Sequence, residues 1–233
     1  MAYPSSRASD RADAFEDRRA AGIEVAARLS KYRGRRDVVV LALPRGGVPV
    51  AFEIAEALDA PLEIFVVRKL GMPGHPEFAI GAIASGGVRV LNEETIQWYG
   101  IPASAIDAVA GRELIELQRR EREYRQGRPL IDLGNRVAIL VDDGLATGAT
   151  MRAAVQAVRA LGPSRVVVAV PVGAPDACQE FADITDETVC ARTPEPFNAV
   201  GLWYRDFSQT TDEEVRELLR RHEERLHSGA RER

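Results

Sequence analysis

The stretch Val137-Ala138-Ile139-Leu140-Val141-Asp142-Asp143-Gly144-Leu145-Ala146-Thr147-Gly148-Ala149-Thr150 decides how the chain is read. An apolar run leads into two adjacent carboxylates and then into a loop of small and hydroxyl residues. Such a run is the mark of a parallel strand covered on both faces. Gly144, Ala146 and Gly148 let the backbone turn sharply and approach a ligand closely. The helix expected over Ala149 to Leu161 would open with unpaired amides, which attract an anion. Thr147 and Thr150 can add hydroxyl donors. Asp142 and Asp143 are acceptors without donors when ionised, and so suit vicinal sugar hydroxyls near a hard cation. Phosphate and polyol side by side describe a ribose 5-phosphate. A Walker A loop is a poor match, because the glycines are one residue too close and no Lys follows. A Walker B strand matches the apolar-then-acid pattern, but no Walker A precedes it. A plain Asp/Gly turn capping a helix is the remaining reading.

Working outward, Asp37–Leu43, Leu62–Val67, Arg165–Val172 and Glu187–Ala191 read as further buried strands. Helices are expected near Phe15–Leu29, Val48–Leu58, 93–99, 103–126 and Pro175–Phe181, with a last one starting at Asp212. Gly71 to Pro76 is too rich in Gly and Pro to be regular, and Ala79–Ala84 with Val88–Asn92 form a hairpin about Ser85-Gly86-Gly87. Alternating strands and helices imply an α/β fold, a mostly parallel twisted sheet flanked by helices. One domain is expected over 13–227, with 1–12 and 228–233 as disordered tails. In such sheets ligands lie beyond the carboxyl ends of the strands.

Composition narrows the function classes. The chain has 233 residues, 45% hydrophobic and 28% charged, with a net charge of −4. That balance gives no electrostatic reason to expect nucleic-acid binding. The charged helix at 103–126 alternates acids with bases and reads as a solvated face. No apolar run approaches the roughly 20 residues of a membrane span, and the N-terminus lacks a signal-peptide pattern. A cytoplasmic location is expected. Three histidines are too scattered for a metal cage. Cys178 and Cys190 read as separate small apolar fillers, not as a disulfide.

On these residues the chain resembles the type I phosphoribosyltransferases. Residues 138–150 resemble their ribose-phosphate motif, with Ala149 where glycine is frequent. The resemblance implies that Asp142 and Asp143 bind the ribose hydroxyls and a metal, and that Ala146, Thr147, Gly148, Ala149 and Thr150 wrap the 5-phosphate. Pro44-Arg45-Gly46-Gly47, at the end of the first strand, resembles the family's diphosphate loop. Arg68-Lys69 through Glu77 resembles the flap hairpin that covers the diphosphate. Lys69 and Lys31 are the only lysines of the chain, and a Lys at a strand end suits a role for a compact ammonium. A small hood region is implied as well. Across Phe15 to Leu219 the chain resembles stand-alone phosphoribosyltransferase-domain proteins, through Phe15-Glu16-Asp17-Arg18, Ala21-Gly22, Phe197-x-x-Val200-Gly201 and Asp206-Phe207.

The reaction implied is Mg²⁺-dependent displacement of diphosphate from phosphoribosyl diphosphate by a small planar, nucleobase-like acceptor. Arg45 and Lys69 would stabilise the departing diphosphate together with Gly46, Gly47 and Arg68, and Glu77 is a candidate for the acceptor's proton. Phe197, Val200 and Trp203 are candidates to contact the acceptor. Two indications conflict over its identity: the Phe-x-x-Val-Gly segment is purine-like, whereas 6-oxopurine enzymes usually carry an acid where Ala146 stands. A non-catalytic sensor of phosphoribosyl diphosphate or a nucleotide is the alternative. A phosphate-ester hydrolase lacks a visible nucleophile. The exposed helices at 93–126 offer a surface for homo-oligomerisation.

Overall fold

In the computed structural model, which describes residues 13–231, strand β1 (Val38–Ala42) is buried at every position. Its side chains alternate between two cores, as strand geometry requires. Val38, Val40 and Ala42 pack with helices α1 (Arg18–Arg28), α2 (Gly47–Leu58), α4 (Ala103–Arg125) and α7 (Asp212–Arg231). Val39, Leu41 and Leu43 pack with α5 (Ala149–Ala160) and α6 (Pro175–Ile184). A sheet covered on both faces needs the continuous apolar strands seen in the sequence.

The main sheet has five strands in the order β2-β1-β6-β7-β8. It comprises β2 (Leu62–Ile64), β6 (Val137–Val141), β7 (Arg165–Val172) and β8 (Glu187–Arg192) around β1. Every pairing is parallel, including Ala42 with Val141 at the ends of the two central strands. From β1 the chain proceeds to one edge, and from β6 to the other. The carboxyl ends of β1 and β6 therefore flank the switch point where α/β sheets bind ligands.

A second, antiparallel sheet holds β3 (Val67–Met72), β4 (His75–Ala84) and β5 (Val88–Leu91). Two expectations are corrected here. The strand expected over Leu62–Val67 ends at Ile64, because Ser85 captures the chain: its Oγ accepts from Val66 N at 2.9 Å and its N donates to Val66 O at 2.9 Å. Val67 then opens β3. Gly71 to Pro76 is largely a hairpin, with register shifts around Gly71. Those shifts bring Pro76 close, since a Cβ on Gly71 would lie 2.4 Å from Pro76 O.

Short helix α3 (Glu93–Tyr99) is capped by Asn92, whose side chain accepts from Thr95 N. The charges of α4 pair along the helix, Glu116 with Arg119 and Arg120, and Arg119 with Glu123. α7 continues to Arg231, into the tail expected over 228–233. The tail expected over 1–12 lies outside the described residues. No helix among the described residues is long and apolar enough to cross a membrane.

Candidate active site at the sheet switch point

Two loops meet between β1 and β6. The first, Pro44 to Gly47, contains a cis peptide between Pro44 and Arg45. Its glycines lie against the carboxylates of the second. A Cβ on Gly46 would fall 2.1 Å from Asp143 Oδ2, and one on Gly47 would fall 2.6 Å from Val141 O and 2.9 Å from Asp142 Cα. Side chains at either position would separate the loops. The Gly-Gly pair read from sequence as an anion-binding turn is also what allows the acidic strand end to sit beside it.

Asp142 Oδ1 accepts from Asp143 N at 2.9 Å, which fixes the first carboxylate in a tight turn. Burial raises the Asp142 pKa well above the usual range, and the neighbouring Asp143 charge adds to it. Burial also raises Asp143, opposed by the hydrogen bond and charge of Arg18. Arg18 Nε lies 2.8 Å from Asp143 Oδ2. The Tyr204 hydroxyl donates to the Asp143 carbonyl at 2.5 Å. Two half-buried acids side by side, with the Arg18 guanidinium as counter-charge, form an electron-rich corner suited to hydroxyl donors or a cation.

The loop after the acids is pinned to the next strand. Leu145 N donates to Val172 O, and Ala174 N to Leu145 O, both at 2.8 Å. Gly148 caps α5 in the left-handed region at φ 69°, where Phe181 leaves no room for a side chain. Ala146, Thr147 and Thr150 are exposed, and neither threonine hydroxyl makes a hydrogen bond among the described residues. Exposed hydroxyls and the free amides of a helix start are groups that can donate to an anion.

The cations expected at the diphosphate are spread around this corner. Arg45 is one-third exposed, with Asp212 Oδ1 3.8 Å from its Nη1. Arg68 is held by Glu113 of α4 at 2.7 Å, and Lys69 is exposed on β3. A cavity of about 560 Å³ runs between the flap hairpin and α4, lined by Arg68, Lys69, Met72, Arg112, Glu113 and Thr150. It joins Arg68 and Lys69 of the hairpin to Thr150 of α5 and adds Arg112, which carries no sequence signal beyond its charge. Glu77 is exposed on β4 and does not line this cavity.

The three candidate acceptor contacts, Phe197, Val200 and Trp203, pack against one buried cluster of Phe15, Ala21, Val172 and Tyr204. Val200 also lies on Gly144, next to the acids, and Trp203 lines a separate cavity with Asp13 and Arg192. Arg18 and Tyr204, which grip Asp143, have no local site signal in the sequence, because the chain returns to the acids from its two ends.

Cys178 and Cys190 are joined by a disulfide between α6 and β8, which overturns their reading as separate fillers. Both sulfurs lie against Gly173, where a Cβ would be 2.4 Å from Cys178 Sγ and 3.4 Å from Cys190 Sγ.

Comparison with known proteins agrees with this architecture. The family model described as the phosphoribosyl transferase domain matches residues 11–201. Two proteins of Mycobacterium tuberculosis, from strains CDC 1551 / Oshkosh and ATCC 25618 / H37Rv, carry provisional phosphoribosyl transferase names. Each is 52% identical over 217 residues, or 93% of this chain and 49% of the relative. The chain thus spans about half the length of the curated relatives it matches. The crystal structure of a Thermus thermophilus protein superposes with a TM-score of 0.80 at 44% identity, covering 88% of this chain and 97% of that one. With its paired strand-end loops at the switch point of a parallel sheet, the chain belongs to the phosphoribosyl transferase domain family.

Proposed function

We propose that the protein transfers a 5-phosphoribosyl group from phosphoribosyl diphosphate to a small planar nitrogenous acceptor and releases diphosphate. The observation that carries this reading is the contact of Gly46-Gly47 with Asp142-Asp143. It supports a reading in which the Gly-Gly turn takes the diphosphate, the paired carboxylates the ribose hydroxyls and the helix start the 5-phosphate, their order along the substrate.

In this reading the acceptor nitrogen forms a bond to ribosyl C1 as the bond from C1 to the diphosphate oxygen breaks with its electron pair, and the proton on that nitrogen is released with the products. Charge grows on the leaving group and falls on Arg45 and Lys69. Thr147, Thr150 and the first amides of α5 hold the phosphate. The carboxylates take the ribose hydroxyls, and Val200 borders the acceptor side. The flap over the cavity would exclude water, which competes as an acceptor. Asp142 and Asp143 fit Mg²⁺ as the protein's oxygen donors, because Mg²⁺ is commonly held by one or two carboxylates plus substrate phosphates. When bound there it would offset the diphosphate charge.

The test is diphosphate release from phosphoribosyl diphosphate and Mg²⁺ across a panel of purine, pyrimidine and other planar nitrogen bases. Release that depends on one base, and disappears in Asp142→Asn/Asp143→Asn, supports the enzyme. Binding without base-dependent release of diphosphate supports the sensor instead.

A further inference from the structure

The segment Phe15-Glu16-Asp17-Arg18 with Ala21-Gly22 stands out in the sequence yet has no part in the reaction described above. The structure gives Phe15, Asp17, Arg18 and Gly22 each a place. Phe15 N donates to Trp203 O at 2.9 Å, and Arg205 N to Phe15 O at 2.8 Å, so the segment before α1 pairs with the aromatic stretch after β8. Asp17 caps α1 by accepting from Ala20 N at 2.7 Å. Gly22 lets α1 lie close to α2, since a Cβ there would be 2.8 Å from Val50 O. Together these contacts fix the first residue of α1, Arg18, over the acidic strand end.

Arg18 is held from three sides. Its guanidinium stacks 3.9 Å from the Phe207 ring centroid. Its Nη1 donates to Ser208 O at 2.7 Å, and its Nε to Asp143 Oδ2 at 2.8 Å. The side chain is only 11% exposed. Asp143 is gripped in turn at its carbonyl by Tyr204, from the same aromatic stretch. Oδ2 is therefore occupied by Arg18, whereas Oδ1 accepts from no other residue among the described residues.

We propose that Arg18 is a positioning residue for ribose recognition: it ties Asp143 Oδ2 to the Tyr204–Ser208 segment, so that Oδ1 is presented to a ribose hydroxyl. This rests on the reading of Asp143 as a ribose ligand. A freely rotating carboxylate would have to be ordered when the sugar binds, and a fixed one already presents its acceptor. The stack and the carbonyl contact hold the guanidinium in place, which a lone ion pair would not do.

The experiment is calorimetric titration of wild type, Arg18→Met, Arg18→Lys, Asp143→Asn and the Arg18→Met/Asp143→Asn double variant. The ligands are phosphoribosyl diphosphate with Mg²⁺, ribose 5-phosphate and inorganic diphosphate. Arg18→Met should weaken the two ribosyl ligands about tenfold or more, the scale of one charge-assisted contact, and leave diphosphate within about twofold. Arg18→Lys should recover part of the loss, and the double variant should bind no more weakly than Asp143→Asn. The proposal is overturned if Arg18→Met binds the ribosyl ligands like wild type. It is equally overturned if all three ligands weaken alike, since that is the result of a general structural role. A wild type that binds diphosphate but neither ribosyl ligand overturns the ribose reading and this one with it. Binding of ribosyl ligands by wild type, unchanged in Arg18→Met, overturns this one alone.

Discussion

Val200 lies directly over Gly144: a Cβ added to Gly144 would come within 2.4 Å of Val200 Cγ1 and 2.7 Å of Cγ2. The residue that follows the two acids and the segment proposed to border the acceptor are thus in contact. Gly144→Ala should force them apart, lowering stability by about 1–3 kcal/mol, the usual scale of overpacking. Binding of phosphoribosyl diphosphate should weaken with it. Adding Val200→Ala should restore much of the melting temperature, which a pair of thermal scans would show.

Asp142 is an acid held at a raised pKa by burial and by its neighbour. Between its unfolded and folded pKa values the folded state binds more protons than the unfolded state. Stability therefore falls as pH rises through that window, and stays reduced above it. Asp142→Asn removes the buried charge. Without ligand or divalent cation the variant should melt above wild type at neutral pH, with the gap closing as pH falls toward the ordinary Asp range. It should also lose ribosyl binding, so that stability and ligand affinity move in opposite directions. A variant that melts below wild type at every pH would contradict this account of the site.

Much of this was legible before the structure. The buried runs at Val38–Ala42 and Val137–Val141 announce central parallel strands, because only strands covered on both faces tolerate such sequences. The acids and small residues after Val141 carry, by their types alone, the ligand chemistry proposed above. The sequence carried no sign that Gly46 would touch Asp143, or that Arg18 would reach it across 125 positions. Those contacts are set by strand order and by the docking of both chain ends, neither of which has a local signature. The end of β2 was missed for a similar reason. Phe65 and Val66 are as apolar as the strand before them, and the distant Ser85 diverts the chain.

The disulfide is a second case of distance in space hidden from spacing. Cys178 and Cys190 have a sequence separation of 12, and a closed loop of about that size contributes about 3 kcal/mol to stability in the chain-entropy account. Under a strong reductant, or in Cys178→Ser/Cys190→Ser, the melting temperature should fall by several degrees, on the order expected for a domain of this size. An unchanged melting temperature, with both thiols open to alkylation before reduction, would show that the bond is not formed in solution.

Arg45 separates binding from folding. Its ion pair with Asp212 spans 3.8 Å at the surface, so Arg45→Ala should cost under about 1 kcal/mol of stability. Its affinity for inorganic diphosphate with Mg²⁺ should nevertheless drop about tenfold or more, while ribose 5-phosphate binding is spared. Equal loss of both ligands would remove Arg45 from the diphosphate loop's function.

Gly46-Gly47, Asp142-Asp143 and the start of α5 assemble one proposed site, which calorimetric titration with phosphoribosyl diphosphate and Mg²⁺, beside Asp142→Asn/Asp143→Asn, puts to the test. Wild type should bind saturably, and the folded variant should not. Binding by neither protein, or equally by both, would contradict the proposed site.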